Sequence, residues 1–62
     1  MLKHITKMTQ KDGKINYYYY TGKTTRRYTE KDNLPNTMIK ILVDGECYET
    51  KYTEYGKIER FK

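Results

Sequence analysis

Residues 15 to 23 read INYYYYTGK, four consecutive tyrosines closed by Gly-Lys, and the fold turns on how that run is read. Ile15 to Tyr20 is β-branched and aromatic, which is the composition of a strand. Side chains alternate across a strand, so Ile15, Tyr17 and Tyr19 share one side while Asn16, Tyr18 and Tyr20 share the other. Both sides are therefore aromatic. One set supplies a core, with each phenol reaching for a hydrogen bond at its rim, and the other set is left for solvent, a second copy or a partner.

Tyrosine has to serve as core because little else is available. A chain of 62 residues is one small domain that buries only about 60% of the surface its unfolded form exposes. Its aliphatic set is Leu2, Ile5, Ile15, Leu34, Ile39, Ile41, Leu42, Val43 and Ile58, with Met8, Met38, Cys47 and Phe61 beside them. Domains this small lean on disulfides, a metal or oligomerisation. Cys47 is the sole cysteine, so no intrachain disulfide forms and a reducing compartment is expected. It reads as a small half-buried hydrophobe of a strand. His4 is the sole histidine, and one His with one Cys falls short of a zinc ligand set, so His4 reads as a solvent-facing strand residue and no metal or cofactor is expected. No apolar run approaches a membrane span and the N-terminal residues lack a signal-peptide core, so a cytoplasmic protein with no membrane partner is expected.

Turn signals punctuate the rest. Asp12-Gly13, Gly22-Lys23, Asp44-Gly45 and Gly56-Lys57 separate segments of strand composition, including Leu2 to Thr9 and the short apolar run Met38 to Val43. The one longer connector is EKDNLPN, residues 30 to 36, where Thr29 is placed to cap at most one short helical turn near residues 30 to 35 before Pro35 ends it. DGKINYYYYTGK (12 to 23) and DGECYETKYTEYGK (44 to 57) share the order Asp-Gly, Tyr-rich strand, Gly-Lys, which suggests two three-stranded units, 2 to 29 and 38 to 62. The predicted fold is all-β: a small antiparallel meander of five or six strands in one domain, forming an open barrel or a sheet completed by dimerisation.

Charge is distributed unevenly. Residues 1 to 33 hold eight Lys and Arg against three Asp and Glu, whereas residues 34 to 62 hold five of each, so the whole +5 net charge lies in the first half. Such a field attracts polyanions or an acidic protein face. Lys3, Lys7 and Lys11 read equally well as edge-strand gatekeepers beside an aggregation-prone tyrosine run. TGKTT (21 to 25) contains the end of a P-loop, but the glycine that motif needs five residues before Gly22 is Tyr17. With no nucleophile and base pair, an enzyme is not expected.

Two binding functions fit what is left. Tyr and Arg dominate protein-interface hot spots, so the first is a small module that docks on a larger protein and modulates or inhibits it. The Lys-, Tyr-, Asn- and Ile-rich composition has the look of a phage or mobile-element accessory protein. The second is single-stranded nucleic-acid binding, with tyrosines as stacking platforms and nearby cations for phosphates. Either way the contact is expected at Tyr18, Tyr20, Lys23, Arg26 and Arg27, and the protein is expected to be a homodimer.

Overall fold

The Asp12-Gly13 signal works as a three-residue loop. In a computed structural model that describes residues 3 to 62, the Gln10 N–H donates to the Lys14 carbonyl at 2.8 Å and the Gly13 N–H donates to the Gln10 carbonyl at 2.9 Å. Gly13 takes a φ of 91°, which glycine adopts without the steric cost of a Cβ. The loop joins β1 (His4–Gln10) to β2 (Ile15–Tyr20), with His4 opposite Tyr20 and Ile5 opposite Tyr19. Leu2, expected to open this first strand, lies outside the described residues.

A second turn over Thr21 to Thr24 returns the chain as β3 (Thr25–Thr29), which places Tyr28 opposite Tyr17 and Arg27 opposite Tyr18. No helical turn follows over residues 30 to 35. Instead the Asp32 carboxylate accepts from the Thr29 N–H at 2.7 Å and the Thr29 hydroxyl at 3.1 Å, closing a turn. These bonds, the backbone one foremost, hold the Asp32 carboxyl below its usual pKa, with the Arg27 charge adding to the effect. A folded-state pKa below the unfolded one means that the turn's contribution is present at neutral pH and is lost as pH falls through the lowered value. An NMR titration of Asp32 is therefore expected to give a lower midpoint in the folded chain than in urea, and equal midpoints would refute the assignment.

The apolar run Met38 to Val43, expected as a strand, is the one helix among the described residues: α1 (Asn36–Asp44). Two features override its β-branched composition. Pro35 sets φ at −57° just before the first turn, and its carbonyl accepts from the Met38 and Ile39 N–H groups. Met38, Ile41 and Leu42 then recur at i, i+3 and i+4, so a helix aims all three at the sheet along with Leu34. The Gly45 N–H closes the end on the Ile41 carbonyl at 3.0 Å.

The hairpin of β4 (Cys47–Thr53) and β5 (Gly56–Phe61) follows, turning at Glu54-Tyr55. Gly56, expected in the turn, instead opens β5. The second half is thus a helix and a hairpin, and the suggested repeat of three-stranded units ends at that hairpin frame.

The five antiparallel strands lie in the order β3-β2-β1-β5-β4, so the first and last strands are neighbours in the middle. The sheet is open, with β3 and β4 at its edges. A chain leaving one edge must cross the whole sheet to begin the other, and α1 makes that crossing over one face. Directly paired residues of antiparallel strands share a face, so one row reads Arg26, Tyr19, Ile5, Phe61, Cys47 across the sheet. The helix covers the middle of that row. Ile5, Tyr19 and Met38 are buried, and Tyr17, Tyr28, Leu34, Ile41, Leu42 and Phe61 pack around them. Among the described residues no helix is long and apolar enough to cross a membrane.

Candidate functional site

The register that sends Tyr17 and Tyr19 to the helix sends Tyr18 and Tyr20 to the other face, which no element covers. That open face carries three rows. Its first is Thr25, Tyr20, His4; its second is Arg27, Tyr18, Thr6, Arg60, Glu49; its third is Thr29, Asn16, Met8, Ile58, Lys51. Thr6, flanked by Tyr18 and Arg60, is buried although nothing lies above it but neighbouring side chains. Shallow grooves open on this face at both ends, one lined by His4, Tyr20 and Lys23 and the other by Met8, Ile58 and Tyr55.

Four of the five residues expected at a contact are brought together here. Tyr18, Tyr20 and Arg27 lie on the open face, and Lys23 rims it in the adjoining turn. Arg26 does not join them. It pairs with Tyr19 and therefore sits on the helix side of the edge strand. Among the described residues the ion pairs are Lys57 with Glu59 at 3.8 Å and Arg60 with Glu49 at 3.1 Å, so neither Arg26 nor Arg27 has a carboxylate in ion-pairing range. Arg27 is exposed beside Tyr18 and, among the described residues, has no salt bridge.

The orientation of the tyrosines constrains what they can bind. Tyr20 stacks on His4, with ring centroids 4.6 Å apart and planes inclined by 22°. Rings stacked across paired strands turn their faces toward each other and present edges and polar atoms outward. Elsewhere the Lys57 ammonium lies 5.7 Å from the Tyr52 centroid and the Lys62 ammonium 5.1 Å from that of Tyr48. In each of the three, one ring face is occupied by the protein's own groups.

His4 is the residue that a reading of the sequence passes over. It lies on the open face as a strand residue, half-buried by its stacking on Tyr20. No local signal in the sequence reveals this, because it depends on the three-residue loop at 11 to 13 that sets His4 opposite Tyr20. Cys47 also departs from expectation. It is exposed, with its sulfur 3.6 Å from the Glu49 carbonyl and 3.5 Å from the Thr50 hydroxyl. Among the described residues no three His, Cys, Asp or Glu side chains gather closely enough to hold a metal. Comparison of the chain with protein-family models, curated proteins and solved structures finds no match.

Proposed function

We propose that this protein is a non-enzymatic, homodimeric docking module that uses its open sheet face to bind, and so modulate or inhibit, a larger protein in the cytoplasm. The observation that carries the reading is the uncovered Tyr18–Tyr20–Arg27 surface, a cationic and aromatic patch on a rigid sheet rather than on a mobile loop. Aromatic and Arg side chains are the usual anchors of protein interfaces. The +5 net charge favours an acidic partner face. Within the patch Tyr20 already has one ring face against His4, which leaves less stacking surface for a base and favours protein over nucleic acid.

A photo-crosslinking residue placed at Tyr18 in the host cell is expected to trap a discrete protein. Arg27→Ala is expected to cut that yield several-fold, whereas Arg26→Ala, on the opposite face, leaves it unchanged. Equal effects of the two substitutions would remove the open face as the contact. Titration with labelled single-stranded oligonucleotides at about 50 and 200 mM salt supplies the contrast: tight binding that collapses over this range would replace the docking reading with phosphate recognition.

A further inference from the structure

The two edges of the sheet differ in whether they can meet themselves. Every residue of β4 is exposed and its outer backbone faces no other strand. Its sequence, CYETKYT, is self-complementary about Thr50: antiparallel pairing of two β4 strands at that residue sets Glu49 opposite Lys51 of the second copy, and Lys51 opposite Glu49. The same register brings Tyr52 of each copy to the other copy's Tyr48, the residue at the β-bulge between Cys47 and Glu49. Glu49 and Lys51 both lie on the open face, so a two-fold axis normal to the sheet matches their faces as well as their charges. A pairing shifted by one residue would oppose Glu49 to Tyr52 and lose both ion pairs. At the other edge, centring β3 on Arg27 sets arginine against arginine.

We infer that a second copy of this chain docks on the β4 edge, antiparallel and centred on Thr50, to form a continuous ten-stranded sheet. This rests on the homodimer proposed above and specifies its surface. Cross-strand pairs of opposite charge stabilise such a contact and like charges directly opposite oppose it. Glu49 gains a cation on each side, Arg60 at 3.1 Å within its own sheet and Lys51 of the second copy across the seam. Lys51, which has no ion pair among the described residues, gains its first carboxylate. The interface is isologous, so the one Glu49–Lys51 pair forms twice by symmetry from one register. The joined sheet leaves both Tyr18–Arg27 patches free on the same face, near its far ends.

The experiment is sedimentation equilibrium on the whole chain and on two charge variants. The wild type is expected to reach twice its 7.6 kDa monomer mass as concentration rises. Lys51→Glu and Glu49→Lys each set like charges across the seam and are expected to weaken self-association at least about tenfold. An equimolar mixture of the two variants restores both opposite-charge pairs and is expected to recover the dimer mass. A wild type that stays at 7.6 kDa overturns the homodimer itself. A wild-type dimer unaffected by either variant, or variants that fail to recover on mixing while their circular dichroism stays native, overturns the β4 seam alone.

Discussion

Met38→Ala is expected to remove half or more of the protein's folding stability. Met38 is fully buried, is the only buried residue of α1, and packs on Ile5 and Tyr19 at the centre of the sheet. Truncating a buried Met to Ala costs about 2–5 kcal/mol, because the helix and sheet close only partly on the void. A chain of this length has roughly 3–9 kcal/mol in all, at about 0.05–0.15 kcal/mol per residue. The middles of the two ranges put the loss at about half of the whole. Urea denaturation followed by circular dichroism measures it directly. Met38→Leu, which keeps the volume, is expected to cost less than about 1.5 kcal/mol. Ile39→Ala and Val43→Ala, on the exposed side of the same helix, are expected to fall within about 0.5 kcal/mol of the wild type. If Met38→Ala unfolded at the same urea concentration as Ile39→Ala, the helix would not be the lid of this core.

That core also shows where the sequence could be read and where it could not. Strands at Ile15–Tyr20 and on either side of it were legible from local composition and turn residues, since each hairpin is closed by contacts a few residues apart. The helix was not. Ile39, Ile41, Leu42 and Val43 in close succession carry strand preference, and only the crossing from the β3 edge to the β4 edge makes a helix with Met38, Ile41 and Leu42 facing inward the better burial. Register was equally hidden. Asp12-Gly13 suits a two-residue turn as well as the three-residue loop it forms, and a slip of one would have sent Tyr18 and Tyr20 to the helix instead. With tyrosines on both sides of β2, the sequence held no preference between those outcomes. The contact residues show the same division. Alternation alone separates Tyr18 and Tyr20 from Tyr17 and Tyr19, and Arg27 from Arg26, while which set is left open depends on the side the helix takes.

The pairing of β1 with β5 is the longest-range seam in the fold, and Gly56 sits where it closes. Its φ of 148° is a conformation L side chains rarely adopt. A Cβ there would lie 2.1 Å from the Thr9 carbonyl oxygen and 2.9 Å from the Gln10 Cα, both backbone atoms that no rotamer change can move. Gly13, by contrast, also has positive φ, but a Cβ on it would meet nothing within 4 Å. Gly13→Ala is therefore expected to cost only the backbone strain, about 1–2 kcal/mol. Gly56→Ala carries that strain and the clash together, so β5 must move off β1 or the substitution must exceed the roughly 3 kcal/mol upper end of backbone strain alone. Moving β5 is no refuge. Phe61 leaves the core row with it, and α1 alone would then tie the β4–β5 hairpin to the rest. Amide exchange is expected to show protection lost along β1 and β5 in Gly56→Ala and retained in Gly13→Ala. Equal protection in the two variants would mean that the seam tolerates a side chain, and that the meander and the hairpin are held together by the helix rather than by the sheet.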